Sequence, residues 1–137
     1  METVIHIALT PDPQAKVTPL EVLEDFADAS RSWHYLEEES QHYGAEKDVP
    51  AGVLRHQRSD GPRYVDFAFA STDPGHLSDL ELVLLDAPTP EAQLGLKERN
   101  AVIDAFLRDL RAYLHARPDH VNLRVDKEDI DAAKLPE

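Results

Sequence analysis

Leu80-Glu81-Leu82-Val83-Leu84-Leu85 is the one stretch of this sequence in which both faces of an extended segment would be almost wholly apolar, with Glu81 the single polar interruption. A short apolar run bounded by turn residues reads as a strand covered on both sides. It is expected at the centre of a sheet. The segment after it, 88–117, carries the clearest helical pattern. Leu96, Ile103, Leu107, Leu110 and Leu114 fall within about 60° of one another on a wheel, widened on one flank by Val102, Phe106 and Tyr113. Thr89, Pro90 and Glu91 place a cap, a first-turn proline and an acid ahead of this helix. Gly95 costs about 1 kcal/mol relative to alanine inside a helix, which moves the expected start toward Leu96.

Upstream, Val4 to Leu9 alternates, with Ile5, Ile7 and Leu9 on one face and Val4, His6 and Ala8 on the other, the pattern of a strand. Two prolines in Thr10-Pro11-Asp12-Pro13 end it. A helix start follows, with Thr18 as N-cap, Pro19 at the first helical position and Glu21 as capping-box partner. From there Val22, Phe26, Ala29, Trp33, Leu36, Ser40 and Tyr43 step alternately by three and four, the seam of one helix against another, with Gly44 as the stop. Such a helix of about 24 residues would span roughly 36 Å, against about 23 Å for a seven-residue strand. It must bend near Ser30-Arg31-Ser32 or project past the sheet. It also carries Glu37, Glu38 and Glu39 toward its C-terminus, where carboxylates oppose the helix dipole.

The middle of the chain reads as a β-hairpin, 53–58 and 63–70 about the turn Ser59-Asp60-Gly61-Pro62, with Val65, Phe67 and Phe69 facing the core. After Pro118, Val121, Leu123 and Val125 alternate as a last strand. The expected fold is therefore α+β: one two-layer domain over 1–126 in the order β-α-β-β-β-α-β, with two long helices on one face of a mainly antiparallel sheet. Residues 127–137 form a charged tail in which Ile130 and Leu135 are the large apolar groups.

Of the 137 residues, 27 are acidic and 14 basic, a net charge of −13. A field of that sign repels a phosphate backbone, so nucleic acid is not expected as a partner. The absence of cysteine excludes thiol catalysis and thiolate metal sites, and leans toward the cytosol. No apolar run reaches the roughly 20 residues of a membrane helix, and the acidic start Met1-Glu2-Thr3 lacks the features of a secretory signal. A soluble, cytoplasmic protein is expected, with no cofactor. Five lysines against nine arginines favour a surface adapted to high salt over a chance excess of acid.

Two constellations could carry metal chemistry. His34, Glu38 and His42 recur at four-residue steps on the expected helix, although the histidines are two turns apart. Asp73, His76 and Asp79 cluster beside an Asp-Pro-Gly turn, a set of hard ligands in a loop. Either would serve a small metal-assisted hydrolase. A solvated helix face and an ordinary turn are the preferred accounts of them, and phosphate loops, HExxH, Gly-x-Ser-x-Gly and dinucleotide fingerprints are all missing. The preferred reading is a small acidic non-catalytic interaction module, inhibitor- or antitoxin-like or self-associating. It would pair with a protein partner, or with a second copy, through Trp33, Leu36 and Tyr43 on the overrunning part of the first helix.

If the acidity is salt adaptation, raising NaCl from about 0.1 to about 1 M, which shortens the Debye length from about 10 to about 3 Å, should raise the melting temperature. An unchanged or lower melting temperature would contradict this.

Overall fold

The alternation of Ile5, Ile7 and Leu9 becomes strand β1 (Val4–Pro11), whose three inward side chains are buried. The structure is a computed structural model, and it describes residues 4–11, 17–57, 63–73, 76–85, 89–92, 94–118, 120–126 and 128. Helix α1 (Pro19–Ala29) begins as the capping signals require: the Thr18 hydroxyl accepts a hydrogen bond from the Glu21 N–H at 3.2 Å, and Pro19 opens the first turn. Strand β2 (Trp33–Tyr35), helix α2 (Glu37–Lys47), and strands β3 (Ala51–Gln57), β4 (Tyr64–Asp73) and β5 (His76–Leu85) follow. A 3-10 turn at Pro90–Ala92, helix α3 (Leu96–Ala116) and strand β6 (Val121–Val125) complete the order. Helix α3 starts at Leu96 with Gly95 as its N-cap, so the glycine stands outside the helix interior that it would have weakened.

The strands form one antiparallel, curled sheet in the order β2-β3-β4-β5-β1-β6. The Leu80 run is interior to it, hydrogen-bonded to β4 on one side and β1 on the other. Leu80, Leu82 and Leu84 point to the main core, while Val83 is buried on the opposite face. Helices α1 and α3 cover the core face. Phe106 of α3 stands edge-on to Phe26 of α1 at 5.9 Å and to Phe67 of β4 at 5.2 Å. Val121, with the partly buried Leu123 and Val125, closes the β6 end of the core. Among the described residues no helix is long and apolar enough to cross a membrane.

The α+β class holds, but the single long helix over 18–43 does not form. Helix α1 stops at Ala29, and Ser30 takes an extended backbone, φ −101° and ψ 147°. The Ser30 hydroxyl accepts a hydrogen bond from the Ser32 N–H at 3.1 Å, the local turn with which serine competes against helix. Trp33, His34 and Tyr35 then pair with His56, Arg55 and Leu54 of β3. Helix α1 and helix α3 share the core face, and a third helix, α2, restarts at Glu37 and lies on the other face of the sheet. This arrangement removes the dipole conflict: Glu37, Glu38 and Glu39 occupy the first turn of α2, where carboxylates are favoured. Gly44 is not the stop. The helix runs on to Lys47 and ends at Asp48, which adopts the left-handed conformation at φ 56°.

Ser40 ties α2 to the sheet. Its buried hydroxyl donates to the Leu36 carbonyl at 2.6 Å and accepts from the Val53 N–H at 2.8 Å. Ser40→Ala would strand the Val53 N–H, and chemical denaturation should show a loss of about 1–3 kcal/mol. A loss below about 0.5 kcal/mol, the size expected of an ordinary surface substitution, would contradict the role given to this hydroxyl.

Candidate functional site

The restart of the chain at Glu37 creates a groove of about 670 Å³ between α2 and the outer face of the sheet. Side chains at four-residue steps along α2, Glu38, His42 and Glu46, form one bank with Glu39, Tyr43 and Lys47. Val53, Asp66 and Leu85 supply the floor from β3, β4 and β5. The register dictates this floor: the strand alternation that sends Leu54, Phe67 and Leu84 inward sends Val53, Asp66 and Leu85 outward. The groove thus has an apolar base, a tyrosine wall and a rim in which carboxylates outnumber the single Lys47.

Asp66 does not stand as a bare charge in this floor. Arg55, its cross-strand neighbour, donates from Nε to Oδ1 at 2.8 Å and from Nη2 to Oδ2 at 3.0 Å, the bidentate fork that guanidinium and carboxylate geometry favours. The guanidinium also lies 3.9 Å from the centre of the Tyr64 ring. The hydrogen bond that Arg55 donates to Asp66 holds the Arg55 pKa above its usual value, against the opposing effect of burial. The electronegative rim of the groove therefore comes from Glu38, Glu39 and Glu46, on a floor whose own carboxylate is already satisfied. Lys47 reaches back toward the Tyr43 ring at 5.7 Å.

The residues singled out in the sequence are redistributed by the break between α1 and α2. Trp33 is fully buried, packed at 5.1 Å from Phe106 and 5.5 Å from Phe67, with its indole N–H donating to Asp109 Oδ2 at 3.3 Å. It belongs to the core and offers no surface to a partner. Leu36 is half-buried between β2 and α2, its N–H bonded to the Val53 carbonyl at 3.0 Å. Only Tyr43 of that trio lines the groove. His34 lies on β2 whereas Glu38 and His42 lie on α2, so the three no longer share a helix face. The expected loop over 71–79 is largely strand: β4 runs to Asp73, β5 starts at His76, and these two residues pair beyond a register shift between Ser71 and Asp73. Their side chains lie outside the described residues, and Asp79 is an exposed residue within β5. Among the described residues no three His, Asp or Glu come close enough to hold a metal ion.

One histidine that periodicity did not mark is placed distinctively. His56 packs against Trp33 with ring centres 4.8 Å apart and planes tilted by 57°, and its Nδ1 is buried without a hydrogen bond among the described residues. Burial pushes its pKa below the usual histidine value, with Asp109 acting in the opposite sense. The strand register through Trp33 brings it there, and that register is invisible while 18–43 is read as one helix.

No protein-family model matches the chain, and no curated protein or solved structure matches it either.

Proposed function

We propose that the protein is a small non-catalytic interaction module, inhibitor- or antitoxin-like, whose α2 groove receives a basic and partly apolar segment of a partner protein. The observation behind this is the composition of the groove: Val53, Leu85 and Tyr43 offer apolar contact, and Glu38, Glu39 and Glu46 stand along its bank. Apolar centres ringed by charge are what peptide-binding grooves use, the centre giving affinity and the rim orientation and association rate. The net charge of −13 acts in the same sense over longer range by drawing a cationic segment toward the surface. A second copy meeting the groove head-on would bring glutamates against glutamates, which favours a different partner over self-association through this face. In this reading the protein works in the cytoplasm, and its lysine-poor acidic surface suits high salt.

A synthetic amphipathic peptide of alternating lysine and leucine tests the proposal. On titration, amide shifts should move at Tyr43, Val53 and Leu85, and Glu38→Lys with Glu46→Lys should weaken binding about fivefold or more, mainly through slower association. Shifts centred elsewhere, or an affinity indifferent to both reversals, would overturn it.

A further inference from the structure

The C-terminal end of α3 and the start of β6 enclose a second cleft, of about 480 Å³, on a different part of the surface from the α2 groove. Its lining includes Arg111, His115, Arg117 and His120, with Leu114 and Val121 as carbon walls, and no aspartate or glutamate among the described residues. Asp119 lies outside those residues. In a chain with 27 acids and 14 bases, a cation has every opportunity to find a carboxylate. Several do: Arg55 pairs with Asp66, Arg63 with Glu98 and Arg108 with Asp109. Among the described residues, the side chains of Arg111, His115 and His120 take no part in an ion pair or hydrogen bond.

Dipole compensation explains only part of this cluster. Arg111 and His115 sit in the last turns of α3, where cations are favoured, but His120 comes from the far side of the chain reversal and has no such reason to be there. Arg117 is the fixed member. Its guanidinium is almost buried and donates to the Tyr113 hydroxyl at 2.8 Å and to Asp25 at 3.5 Å, so it holds the wall of the cleft in place. Arg111, His115 and His120 line a cavity with apolar walls.

We propose that this cleft binds a small organic anion: a phosphate monoester or carboxylate head group met by Arg111, His115 and His120, with an apolar body against Leu114 and Val121. The apolar body matters, because an inorganic ion would face the repulsion of the whole −13 chain with only the local cations to hold it. Contact with the carbon walls adds a contribution that this field does not oppose. The site is independent of the α2 groove and of the function proposed for it.

The test is an amide-resolved NMR titration of the full chain with phenyl phosphate, with benzoate and with inorganic phosphate. Phenyl phosphate should shift Leu114, Val121 and their neighbours and bind roughly tenfold more tightly than inorganic phosphate, the ratio that about 1.4 kcal/mol of ring contact gives. Benzoate reports whether a carboxylate head group serves as well as a phosphate, and either organic anion binding at these residues supports the site. Arg111→Gln with His120→Gln should weaken binding by about tenfold or more while leaving the melting temperature unchanged, since among the described residues neither side chain makes a hydrogen bond or ion pair. Failure of both organic anions to bind at millimolar concentration, shifts that map elsewhere, or equal affinity in the double variant would each overturn the proposal. If the double variant loses its fold, the wild-type shift map decides alone.

Discussion

The ring of Trp33 holds the architecture together. It is fully buried among Phe26 of α1, Phe106 of α3, and Phe67 and His56 of the sheet, at centroid separations from 4.8 to 6.2 Å. Each such aromatic contact is worth about 0.5–1.5 kcal/mol beyond the area it buries. Helix propensity, by comparison, separates ordinary residues by at most about 0.7 kcal/mol each. Packing therefore outweighs any local preference of 30–36 for helix, and the ring is brought home by an edge strand. Because β2 is hydrogen-bonded to β3, the chain leaving Leu36 emerges at the sheet edge and α2 folds back over the outer face. The groove exists because Trp33 is in the core.

Much of the fold is readable from single residues. The alternations Ile5-Ile7-Leu9, Val65-Phe67-Phe69 and Val121-Leu123-Val125 each identify an inward face, and Thr18-Pro19 fixes the start of α1 to the residue. The failure over 18–43 has an identifiable cause. A four-three spacing is satisfied equally by one long helix and by a helix, a short strand and a second helix whose inward residues happen to stay in phase. The deciding signal was electrostatic: three consecutive glutamates are unfavourable at a helix C-terminus and favourable at an N-terminus, so Glu37-Glu38-Glu39 marks a new start. Ser30 and Ser32 mark the preceding stop.

The same error dispersed the candidate site. With one helix, Trp33, Leu36 and Tyr43 make a continuous stripe, and His34, Glu38 and His42 a continuous face. With the break, Trp33 enters the core while Tyr43 is the one member of the stripe that lines the groove, and His34 lies on β2 apart from Glu38 and His42 on α2. The groove floor of Val53, Asp66 and Leu85 joins residues from three strands and could not be assembled without the register. The polar side chains divide along similar lines: the glutamates of α2 border one cleft, and Arg111, Arg117, His115 and His120 line another.

The account turns on 30–36 leaving the helix, and a side-chain-resolved NOESY experiment tests it most directly. It predicts contacts from the Trp33 indole to the Phe67 and Phe106 rings, cross-strand contacts between His34 and Arg55, and contacts from Tyr43 to Leu85 across the groove. An unbroken series of helical i to i+3 contacts from Val22 through Tyr43, with the Trp33 indole lacking those to Phe106, would contradict it and remove the groove together with the fold that creates it.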